Sequence, residues 1–174
     1  MLKYFCFISL LSLSFTLQVG SVFPSIIGES LDGKSISIPE KTKGKKTLVG
    51  MAYSQKAEAD LTTWYQPMYD KFIAKVGMFD SFYDVNVYFI AMFTGANQAA
   101  YEPALKKLRS DPNKELFPYI VFYKGDEEPY VGALNMKDKN SPYFFVLDEN
   151  GKILYATSGS FSEKKMEDIE AVLE

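Results

Sequence analysis

The chain has 174 residues, a net charge of −3, one cysteine and no histidine. A mildly acidic sequence without a basic stripe does not suit a nucleic-acid backbone, and the usual ligands of zinc, haem and iron-sulfur sites are missing. The single cysteine, Cys6, sits inside an apolar N-terminal run, so the remaining sequence can perform neither thiol nor imidazole chemistry.

Lys3 followed by the uncharged run Tyr4 to Leu17 and then small residues reads as a secretory signal, with cleavage placed before Val22. The run is shorter than the about 20 residues of a membrane-crossing helix and lacks the arginine-rich amphipathic character of a mitochondrial presequence; an uncleaved membrane anchor is the alternative. The chain then divides into a signal peptide, 1–21, and one domain, 22–174. That domain has 153 residues, 18 Lys and Arg against 22 Asp and Glu, and a length that supports a full hydrophobic core without a membrane span. Export implies a periplasmic or secreted product. Disulfides form in such compartments, but the trimmed domain has no thiol for one, so its fold must rest on packing.

In chain order, FPSIIGESLDGKSISIP (23–39) predicts extended segments around an Asp32-Gly33 turn. TLVGMAY (47–53) has the unbroken apolar character of a buried strand. Ser54 can cap a helix whose apolar face carries Leu61, Trp64, Met68, Phe72 and Val76, with a kink or early stop at Pro67. VNVYFIAMF (85–93) predicts the next strand, residues 97–109 a helix turning Tyr101, Leu105 and Leu108 inward, and 117–123 a further strand. A short helix is expected over 131–136. Pro142 then opens a hairpin whose Asn150-Gly151 pair suits positive φ, and Ser160 with Glu163 fits a capping box for a last helix burying Met166, Ile169, Val172 and Leu173. Strand alternating with helix implies parallel pairing in the centre.

This order resembles the thioredoxin-like fold as elaborated in exported thioredoxins and peroxiredoxins. LDGKSISIP before GKKTLVG and the proline-initiated SPYFFVLDENGKI carry that likeness. The implied architecture is α/β and three-layered, a central mixed sheet with helices on both faces and an N-terminal β-hairpin extension. TLVGMAYS, TWYQPMYDKF, YKGD and ALNMKDKNSPYFFVLDENGKILYATSG together resemble the mitochondrial ATP synthase assembly factor family, whose members act on the membrane sector of the synthase. Trp64 and Pro67 match that family's Trp-x-x-Pro helix, and Leu134 to Met136 match its stretch before the hairpin, with Asn135 where the family has glycine.

In working thioredoxins a pair of cysteines starts the helix after the central strand, where free amides and the helix dipole stabilise a thiolate. Alignment of the strand end places those two positions at about Lys56 and Ala59, so neither is a redox sulfur. Ser54 lacks a histidine to activate it and reads as a helix cap. Lys56 is a cation at a helix start, open to an anionic partner or simply solvated. By the resemblance, Ser141-Pro142 is a candidate cis bond facing the degenerate loop, leaving backbone free to pair with an extended peptide. Trp64, Tyr65, Tyr69 and Phe72 have spacings that core packing explains, and an exposed aromatic patch at Tyr53, Tyr143 and Trp64 would mark a partner surface.

These features imply a redox-inactive, non-enzymatic protein without cofactor or metal. It would act as an assembly factor or chaperone that binds a protein or extended peptide segment, such as a membrane-protein assembly client, in a groove formed by Tyr53, Ser54, Gln55, Lys56, Ala59, Ser141, Pro142 and Tyr143. The rival reading is a diverged thiol-disulfide oxidoreductase or peroxiredoxin relative with residual or non-thiol activity. A small-molecule carrier, the third class, requires an enclosed apolar cavity.

Overall fold

The computed structural model describes residues 19–174. The apolar run 4–17 and Cys6, and with them most of the predicted signal peptide, lie outside the described residues. Seven strands form one mixed sheet in the order β2-β1-β5-β4-β3-β6-β7. Strands β3 (Lys46–Ala52), β4 (Val85–Thr94) and β5 (Ile120–Gly125) are parallel, as strand-helix alternation predicts. The hairpin β1 (Ile26–Ser30) and β2 (Ser35–Ile38) adds antiparallel to β5, and the hairpin β6 (Tyr143–Leu147) and β7 (Ile153–Ser158) adds antiparallel to β3.

Because the central strands are apolar on both sides, each face needs a cover. Leu48, Phe89, Phe122 and Phe144 point to one face, where they meet Ala57 and Leu61 of α1 (Gln55–Thr62), Tyr101 and Leu105 of α3 (Tyr101–Arg109), and Met166 and Ile169 of α5 (Glu163–Leu173). The alternate residues Val49, Met51, Ile90, Val121 and Phe145 pack with Phe23 and with Tyr130 and Leu134 around α4 (Glu128–Ala133). This gives the expected three layers. Gly50 lets α1 sit close, because a Cβ there would lie 2.7 Å from Phe144 and 3.0 Å from Leu61.

Several boundaries differ from the sequence expectation. The helix after Ser54 breaks at Thr63 and restarts as α2 (Tyr65–Met68), so Pro67 falls in a first turn, where a missing N–H costs little. A π-turn over Tyr69–Ile73 follows, and Lys75 takes φ +55°; the altered rotation leaves Val76 exposed instead of buried. A 3-10 turn over Gly95–Ala100 precedes α3, and the strand expected at 117–123 begins at Ile120, after a turn closed by the bond from Tyr119 N–H to the Leu116 carbonyl. The short helix starts at Glu128, three residues earlier than expected, because Pro129 suits a first turn. The cap of α5 is Ser162, whose Oγ accepts from Lys165 N–H at 3.4 Å, in place of the Ser160 box. Thr63 Oγ1 accepts from Phe161 N–H at 2.9 Å and holds that residue outside the helix. Of the Asn-Gly pair, only Gly151 has positive φ (+83°), since the turn within the connection 148–152, closed by Gly151 N–H donating to the Asp148 carbonyl at 3.0 Å, needs one left-handed position.

Candidate functional site

The end of β3 delivers Tyr53 and Ser54 to the start of α1. Ser54 is extended (φ −150°, ψ 159°) and its Oγ accepts from Ala57 N–H at 3.1 Å, which makes it the helix cap. The same hydroxyl donates to the Lys139 carbonyl at 2.6 Å, so Ser54 ties the helix start to the loop before β6. The seat where free amides converge is therefore Ser54, with Ala57 one turn on, and Lys56 and Ala59 stand exposed beyond it.

The facing loop is held by its own bonds. Tyr53 Oη donates to the Met136 carbonyl, and burial, with Tyr143, Glu127 and Asp138 nearby, pushes its phenol up to about 12. Tyr143 Oη accepts from Asp138 N–H at 2.7 Å, and burial raises this phenol too. The Asp138 carboxylate accepts from Asn140 N–H at 2.9 Å and Ser141 Oγ at 2.8 Å; these bonds and the charge of Lys56 hold it below the ordinary carboxylate range. Lys56 thus faces a counter-charge from the loop.

Three expectations are corrected. Ser141-Pro142 is trans; among the described residues the cis peptide is Ile38-Pro39. The Pro142 carbonyl accepts from Gly159 N–H at 2.9 Å, because β7 continues past its last ladder residue and occupies the backbone expected to be free. Tyr53, Tyr143 and Trp64 form no exposed patch, since all three are buried in the layers around the sheet. Trp64 donates from Nε1 to the Gly159 carbonyl at 3.0 Å, lies 4.1 Å from the Phe144 ring and meets Phe161 edge-on at 5.3 Å. It locks α2 to the β7-α5 connection and does not open a cage.

Leu134, Asn135 and Met136 end α4. Asn135 takes φ +50°, Met136 N–H donates to the Val131 carbonyl at 3.0 Å, and Asn135 N–H to the Gly132 carbonyl at 3.4 Å. This is a Schellman closure, in which glycine or asparagine tolerates the left-handed position. Asn135 meets here the left-handed backbone demand that would suit the glycine expected from the resemblance.

Beside the seat lies a cleft of about 110 Å³ lined by Ser54, Gln55, Glu58, Met92, Phe93 and Asn97. It is smaller than the about 300 Å³ at which ligand pockets begin. Burial raises the Glu58 carboxyl above its ordinary value. Sequence reasoning missed Glu58, because a glutamate in a first helical turn reads as a solvated partner of the dipole. No group of three or more His, Cys, Asp or Glu side chains among the described residues could hold a metal ion.

A mixed sheet, a strand feeding a capped helix start, and a buried proline opening the hairpin opposite it define a thioredoxin-like fold. Solved structures share it: a Chlorobium tepidum protein assigned as thiol:disulfide interchange protein DsbE (18% identity, TM-score 0.58, 91% of this chain and 100% of that one), and BsSco of the Sco family of cytochrome c oxidase assembly proteins (15%, 0.57, 88% and 94%). A thioredoxin family thiol:disulfide interchange protein from Chlorobium tepidum TLS is also similar (17%, 0.57, 89% and 97%). No curated protein matches the sequence. The family model described as ATP10 protein matches residues 11–174, and the chain belongs to this family of ATP synthase assembly factors.

Proposed function

We propose that the protein is a redox-inactive, thioredoxin-like assembly factor that works outside the cytoplasm and holds a segment of a membrane-protein client. The observation that carries this reading is the helix-start seat: Ser54 Oγ is engaged by Ala57 N–H and the Lys139 carbonyl, and no imidazole exists to activate it. Gln55, Lys56 and Ala59 form the exposed edge beside the cleft, while Pro142 and Tyr143 support the loop from beneath. The client is a subunit of the membrane sector of ATP synthase, as the family implies. Co-purification of that sector with the native chain, reduced by Gln55→Glu with Lys56→Glu, supports the reading, whereas unchanged recovery excludes this edge.

One observation favours the rival enzyme: Glu58 is a carboxyl with a raised pKa in a cleft, the setting of a proton donor. Insulin disulfide reduction or peroxide removal by an added dithiol, which supplies the two electrons, faster than with a heat-killed control and slowed by Glu58→Gln as the lost proton donor, would support it.

A further inference from the structure

Of the eight exposed large hydrophobic side chains among the described residues, six gather at one end of the sheet. Val76, Met78, Phe79 and Phe82 are 71%, 87%, 69% and 79% exposed in the connection that leads into the start of β4. Val19 and Val22, 51% and 61% exposed, lie at the start of β7. Gly20 N–H donates to the Ile153 carbonyl at 2.7 Å, and Ser21 accepts from Ile153 N–H at 2.9 Å, which fixes the chain there. Strands β4, β3, β6 and β7 stand side by side, so the two groups are about 14 Å apart at the usual strand spacing.

The connection is built and held. Asp80 Oδ2 accepts from Gly77 N–H at 2.8 Å, Lys71 reaches Asp80 at 3.3 Å and Glu170 at 3.1 Å, and the Phe79 and Phe82 rings lie within 16° of parallel. Nearby charges are of both signs, Lys43, Lys75 and Lys152 against Asp84, Glu149 and Glu174, so the surface does not select a partner by charge. In the reading where the N-terminus stays attached as an uncleaved anchor, the apolar run Tyr4 to Leu17 precedes by two residues Val19, which lies at this end. Fourteen residues are fewer than a membrane-crossing helix needs, and a short apolar segment holds a membrane better with a second contact.

We infer that this end of the domain, through Val76, Met78, Phe79 and Phe82, docks on a lipid bilayer surface. The Ser54 seat lies at the opposite end of β3, about 20 Å away, and faces outward from the membrane. The inference goes beyond client binding and does not depend on it.

The test uses the full chain carrying Phe79→Trp, mixed with neutral phosphatidylcholine vesicles brominated in their acyl chains. Trp64, fully buried, contributes a constant background. Quenching and a blue shift of the new indole are expected, unchanged at about 0.5 M salt. Phe79→Ser with Phe82→Ser should lower vesicle partitioning at least about tenfold and leave client recovery through Gln55 and Lys56 intact. An unquenched indole overturns the inference. So does equal partitioning of a folded double variant, or loss of a dimer in that variant, which would identify a second copy as the cover.

Discussion

Replacing Trp64 by phenylalanine isolates what the single tryptophan contributes. The indole is fully buried, bonded to the Gly159 carbonyl at 3.0 Å and packed on Phe144 and Phe161. Phenylalanine keeps much of the ring packing but loses the hydrogen bond, a net loss of about 1 kcal/mol. The smaller ring leaves about 40 Å³, which at about 24 cal/mol per Å³ adds about 1 kcal/mol. The sum of about 2 kcal/mol lowers Tm by about 4–8 °C in a domain of this size. Trp64→Ala should cost about 3–5 kcal/mol. Urea unfolding followed by far-UV circular dichroism measures both without relying on tryptophan emission. An unchanged midpoint for the phenylalanine variant, together with loss of client recovery, would refute the structural role and make Trp64 a recognition residue.

Glu58→Gln should change how stability varies with pH. Burial raises the Glu58 carboxyl above its ordinary 4.5, so between those values the folded chain holds more protons than the unfolded one. Stability from this group therefore falls as pH rises through that window, and the variant should be more stable than the parent at pH 7 and flatter above pH 4; parallel pH profiles would contradict this. Gly50→Ala places a methyl against Phe144 and Leu61, both fully buried, and should destabilise by about 1–3 kcal/mol in denaturant titration. Lys46→Met keeps the stem but removes the ammonium that donates to the Val172 and Leu173 carbonyls at 3.0 Å, costing about 0.3–1 kcal/mol. Faster amide exchange confined to the last turn of α5 is its signature.

The sheet was legible because its central strands are unbroken apolar runs and its hairpins are marked by Asp-Gly and Asn-Gly. The Ser54 cap was legible for the same local reason. Helix phase was less so: the break at Thr63 and the π-turn after it depend on how Trp64 docks against Gly159, a contact 95 residues apart that local periodicity does not record. The site was read in composition and misread in exposure. Tyr53, Pro142 and Tyr143 belong to it by position, yet their partners, the Met136 carbonyl, Gly159 N–H and Asp138 N–H, lie in other segments and draw them inward. Val76 gave the opposite error, because its four-residue step from Phe72 reads as core until the left-handed Lys75 turns the chain out.

Whether the seat at the start of α1 holds or reacts is tested most directly by the amount of fully assembled ATP synthase in cells whose own copy is replaced by Ser54→Ala or by Gln55→Glu with Lys56→Glu. A holding surface predicts near-parental assembly with the first variant, provided it folds, and reduced assembly with the second. Loss of assembly with a folded Ser54→Ala protein, and retention with the charge-reversed edge, would mean that the hydroxyl does chemistry and that the protein is not a passive holder.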